Sequence, residues 1–92
     1  MFVYHLKRGN LNFKTNKFEF YDDEIYSSMK KVLKNVENMI DVNNGYNVTR
    51  ENVDFGSNPY LEVTYNCMSA PMENGEQRPM RIRYCIYKRE VI

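Results

Sequence analysis

Apolar residues recur along this 92-residue chain with two different periods. Between Tyr21 and Tyr46 the period is helical. Ile25, Met29, Val32, Val36 and Met39 step along one face, and Leu33 and Ile40 widen that row into a stripe. The stripe predicts a helix of roughly 20 residues, or about 30 Å. Asp22 is expected to be its N-cap. Asp23 and Glu24 add negative charge at the positive end of the dipole, and Tyr21 and Tyr26 take the two positions of a hydrophobic staple. Asn43, Asn44 and Gly45 tolerate positive φ and predict the C-cap.

Elsewhere the period is two. Phe2, Tyr4 and Leu6 alternate with Val3, His5 and Lys7, and Gly9-Asn10 suits a tight hairpin turn that would set Leu6 opposite Phe13. The apolar parity then flips, with Leu11 and Phe13 on odd positions and Phe18 and Phe20 on even ones. A bulge or a second turn at Thr15-Asn16 is therefore required. A similar flip between Tyr46/Val48 and Val53/Phe55 predicts a kinked strand or two short ones, with Arg50-Glu51-Asn52 between the two parts. Leu61, Val63, Tyr65 and Cys67 form the clearest alternating run and should face the helix. Met80, Ile82, Tyr84 and Ile86 form the last. Residues 69–79 read as a polar loop rich in turn formers.

The expected fold is α+β: one domain, 1–92, with the helix on one face of a four- to six-stranded, mainly antiparallel sheet. Its order is strand, strand (single or doubled), helix, strand, strand, strand.

Composition narrows the function classes. Hydrophobic residues make up 42% and aromatics 14%, enough for a packed core and too many for a disordered chain. A formal net charge of +1 gives no global attraction to nucleic acid or anionic lipid, so any such binding must be local. No apolar run approaches the roughly 18 residues of a membrane span. Met1–Leu6 is too short for a signal peptide, so a cytoplasmic location is expected. Asn47-Val48-Thr49 fits the glycosylation pattern but lacks that context. Asn is abundant while Ala70 is the only alanine, a bias that reads as an AT-rich coding sequence of phage, viral or bacterial origin.

Candidate chemistry concentrates on the last strand. Arg81, Arg83, Tyr87 and Arg89 share one parity class opposite the apolar one, and Tyr60, Thr64 and Asn66 can neighbour them. Guanidinium groups match phosphate or carboxylate bidentately, and tyrosines stack on bases or pack in protein interfaces. The plain alternative is a solvated strand face, with Glu62 in the same stripe. Lys30, Lys31 and Lys34 form a second cationic cluster, on the helix. His5 is the only imidazole, and no nucleophile motif accompanies it. Two cysteines and one histidine do not make a spaced zinc set, so no metal or cofactor is expected. Cys67 and Cys85 fall in opposite parity classes and should be free thiols. Neighbouring arginines are expected to lower the Cys85 pKa, which would make the thiol reactive if exposed.

The expected function is a small non-enzymatic binding protein, a stoichiometric inhibitor or adaptor for a protein or nucleoprotein partner. Its phage-encoded form would be anti-defence and anti-CRISPR-like. The alternative is a module that binds single-stranded nucleic acid through the Arg/Tyr face.

Overall fold

The computed structural model describes residues 1–55 and 58–91, with the side chains of residues 22, 23, 55, 58 and 59 outside that description. The elements are β1 (Phe2–Asn12), β2 (Lys17–Tyr26), α1 (Met29–Val42), β3 (Tyr46–Phe55), β4 (Asn58–Met68) and β5 (Pro79–Glu90). The strands form one five-stranded sheet in spatial order β2-β1-β5-β4-β3, and every neighbouring pair is antiparallel. The α+β class and element order are those expected, with the second strand single.

The helix is shorter than the stripe implies, 14 residues rather than about 20. Tyr21–Tyr26 belongs instead to β2, where the backbone completes a ladder with β1 running from Arg8↔Asp22 to Tyr4↔Tyr26. A helix begun at Asp22 would leave that stretch of β1 without a partner on this side. Ser28, not Asp22, is the N-cap: its backbone is extended and its Oγ accepts from the Lys31 N–H at 3.2 Å. At the other end the expected cap forms. Asn44 takes φ 53°, the Gly45 N–H donates to Ile40 O at 2.8 Å, and the Asn44 N–H donates to Asp41 O at 3.1 Å. Gly45 is required there by space, since a Cβ would lie 2.7 Å from the Tyr65 ring.

Gly9-Asn10 is not a turn. β1 runs straight through it, and the reversal comes at 13–16, where Asn16 has φ 58° and its N–H donates to Asn12 O at 2.8 Å. Leu6 therefore lies between Glu24 and Ile86 rather than opposite Phe13, and Leu11 pairs with Phe18. A bulge also occurs: the register passes from Arg8↔Asp22 to Gly9↔Phe20, which leaves Tyr21 as the extra residue and reverses the facing of β2. The kink of β3 falls at Asn47, φ 53°, rather than at Arg50–Asn52.

α1 lies along the middle of the sheet. Val32, Val36 and Ile40 are buried against Leu6, Val63, Tyr65, Ile82 and Ile86, as the parity of β4 and β5 requires. Glu37 on its flank pairs with Arg50 of β3 at 2.6 Å. A helix of this length covers about 21 Å, whereas ten- to twelve-residue strands extend roughly 33 to 40 Å. The molecule is accordingly elongated, 52 × 27 × 21 Å, and the sheet runs beyond the helix.

Candidate functional site

The face of the sheet turned away from α1 is organised in rows that cross the strands. One row runs Ile25, His5, Tyr87, Tyr60, Val53 and is largely apolar. The next carries Lys7, Cys85, Glu62 and Glu51. A third runs Phe20, Gly9, Arg83, Thr64, Thr49, and Arg81 stands beyond it opposite Asn66. Alternation thus brings Arg81, Arg83, Tyr87 and Arg89 onto one surface, as their shared parity demanded, and cross-strand pairing with Tyr87 adds Tyr60.

Their environments differ. The rings of Tyr60 and Tyr87 lie 4.9 Å apart at 36°, with Lys7 Nζ 5.9 Å and the Arg89 guanidinium 5.8 Å from the Tyr87 centroid. Burial raises both phenol pKa values. Arg83 is held inside the protein's own network: its Nε lies 3.1 Å from Thr64 Oγ1 and 3.1 Å from Glu62 Oε1, and its guanidinium lies 3.9 Å from the Phe18 ring centroid. Arg81 donates through Nε to Asn66 Oδ1 at 2.9 Å and is otherwise exposed. Asn47, Thr49, Glu51, Glu62, Arg81 and Arg83 edge a shallow depression of about 340 Å³.

Cys85 occupies the centre of this face but is buried, because the longer side chains around it close over the thiol. The expected lowering of its pKa is reversed: burial pushes it up to about 11, Glu62 adds to the rise, and Arg83 opposes it only in part. Cys67 points into the core on the other side of the sheet, and both cysteines are free.

Lys30, Lys31 and Lys34 are exposed on α1, on the opposite side of the molecule from the arginines. The two cationic clusters do not form one surface. Around the lysines stand Glu37 and Asp41, so this helix face is mixed in charge.

Sequence reasoning missed Lys7, Phe18, Phe20 and Ile25. Ile25 is 65% exposed on the outer face instead of filling the helix stripe, and Phe20 covers Gly9 on the same face. A usable signal was the glycine itself, since a bare backbone position within an alternating run invites a cross-strand aromatic. Among the described residues no helix is long and apolar enough to cross a membrane, and no three His, Cys, Asp or Glu side chains gather as a metal site. No family model, curated protein or solved structure matches the chain.

Proposed function

We propose that the protein is a non-enzymatic binding protein that engages a protein or nucleoprotein partner through the outer face of its sheet, as a stoichiometric inhibitor or adaptor. The observation that carries this reading is the apolar row Ile25–His5–Tyr87–Tyr60–Val53, laid beside a row of mixed charge. Ile25 is exposed and Val53, Tyr60 and Tyr87 are partly so, and such aliphatic and aromatic groups with arginines at the border are the composition of protein interfaces. Glu51 and Glu62 within the surface disfavour a bare phosphate backbone and suit a partner that carries both signs of charge. A phage-encoded anti-defence role is one form of this reading, and it rests on composition alone.

The test is recovery of complexes by the tagged protein from its native cell, with and without nuclease, compared with the Ile25→Asp variant. Recovery of a stoichiometric protein that resists nuclease and is lost in the variant supports the reading. Equal recovery by both proteins overturns it. The tilted ring pair Tyr60–Tyr87, with Lys7 and Arg89 near the Tyr87 ring, favours a second reading, single-stranded nucleic acid. Its signature is direct binding of an unstructured oligonucleotide that weakens steeply with salt.

A further inference from the structure

The other side of the sheet holds a separate cleft. It opens between α1 and the β1–β2–β5 part of the sheet, has a volume of about 170 Å³, and is lined by Leu6, Arg8, Glu24, Asn35, Met39 and Tyr84. A water molecule occupies about 30 Å³ of liquid, so the space would hold roughly five or six waters or one small organic molecule.

Two polar atoms distinguish it. Arg8 Nε and Tyr84 Oη are buried and make no hydrogen bond of ordinary geometry among the described residues, the Tyr65 hydroxyl being a polar neighbour of Tyr84 Oη, and both residues line this cleft. Tyr84 is only 3% exposed. Buried donors are normally satisfied, and an orphan carries a desolvation cost that a ligand can remove. The Arg8 guanidinium lies 5.7 Å from the Tyr21 ring centroid and 5.8 Å from that of Tyr84. An N–H of a cation and a phenolic O–H together call for an anionic acceptor.

The opposite charge is also present. Tyr26 donates its hydroxyl to Glu24 and accepts from Asn35 Nδ2, which holds an exposed carboxylate and an amide carbonyl beside the same space. A phosphate dianion would meet that carboxylate unfavourably, whereas a molecule with a positive end would not.

We infer that this cleft binds a small zwitterionic carboxylate of the amino-acid class. Its carboxylate accepts from Arg8 Nε and Tyr84 Oη, and its ammonium group is directed to Glu24 and Asn35. The site is independent of the outer face and of any partner bound there.

The inference is tested by titrating the intact ¹⁵N-labelled protein with L-alanine, acetate, methylamine and inorganic phosphate while following the backbone amides and the Arg8 Nε–H. Alanine should give saturable shifts at Leu6, Arg8, Asn35 and Tyr84, acetate should bind more weakly, and methylamine and phosphate should not saturate. Tyr84→Phe deletes one oxygen and leaves the ring, so it should fold and weaken alanine binding by about tenfold, the ratio expected for a hydrogen bond to a charged group. If no probe saturates, the cleft holds water only and the inference is overturned. Unchanged affinity in Tyr84→Phe, or saturation by phosphate but not alanine, overturns it equally.

Discussion

The Phe20 ring lies over Gly9, its cross-strand partner, so closely that a Cβ on the glycine would stand 2.8 Å from two ring carbons. This contact explains why a residue that suits a turn lies within β1: the missing side chain leaves room for an aromatic cover. Gly45 has a similar relation to Tyr65, at 2.7 Å, but there the ring is fully buried and Ile40 blocks the other side at 2.9 Å.

The two glycines should therefore respond differently to alanine. At Gly9 the half-exposed Phe20 can swing outward, and the entropy removed from the unfolded chain, about 0.4 to 1 kcal/mol, offsets the lost contact. Gly9→Ala should change stability by less than about 1 kcal/mol, whereas Gly45→Ala should cost about 1 to 3 kcal/mol by overpacking. Urea midpoints decide it, and a larger loss at Gly9 would contradict the contrast.

Val32 and Ile25, both on the helical stripe of the sequence, should be separable by one substitution each. Val32 is completely buried where α1 meets the sheet, so Val32→Asp leaves an unpaired charge in the core. A domain of this length has only about 5 to 14 kcal/mol of stability, and a loss of ~4 kcal/mol or more should abolish its cooperative transition or bring it near the edge. Ile25→Asp alters an exposed position on β2 and should melt within a few degrees of the parent. Circular dichroism melts of the two variants would reject this placement if their order were reversed.

Legibility followed the length and isolation of each pattern. Leu61–Cys67 and Met80–Ile86 alternate without interruption, so their facing, their pairing and the shared surface of Arg81, Arg83, Tyr87 and Arg89 could be read from parity. The segment Phe18–Tyr26 could not. Its helical spacing at Ile25 was coincidental, and the bulge at Tyr21 broke the period of two where a strand would otherwise have been recognised. The burial of Cys85 was hidden for another reason, because it depends on the lengths of the side chains on the neighbouring strands. Arg8 and Tyr84 share a parity class, yet only the placement of α1 shows that they line a cleft.

Alkaline pH should destabilise the fold. The folded state keeps the Cys85 proton more tightly than the unfolded chain does, with the thiol raised from 9.0 to about 11, and burial likewise raises the Tyr84 phenol. Unfolding is thus favoured once the exposed thiol can ionise: this contribution is complete below pH 9 and is lost as pH climbs toward 11. A shift of this size corresponds to at most about 2 to 3 kcal/mol. Stability measured by urea should be level around neutrality and fall above pH 9, less steeply in Cys85→Ala. Native protein should resist thiol reagents at both cysteines and take up two labels when unfolded. Rapid native labelling of Cys85 would refute its burial.

The arginines of β5 should divide into one that holds the sheet and two that meet the solvent. Arg83 bonds Thr64 and Glu62 and stacks on Phe18, so its removal strips a half-buried carboxylate of its partner and uncovers an aromatic ring. Arg83→Ala should cost about 1 to 3 kcal/mol. Arg81 and Arg89 are exposed, and surface contacts of their kind contribute about 0 to 1 kcal/mol, so the double variant Arg81→Ala/Arg89→Ala should melt near the parent. That division fixes how recognition is measured. A triple variant would confuse unfolding with lost contacts, whereas the double variant keeps the sheet and removes only the outward cations. Partner binding weakened in the double variant at unchanged melting temperature places recognition on the outer face. A double variant that unfolds readily, or an Arg83→Ala that does not lose stability, would show that the division is drawn at the wrong residue.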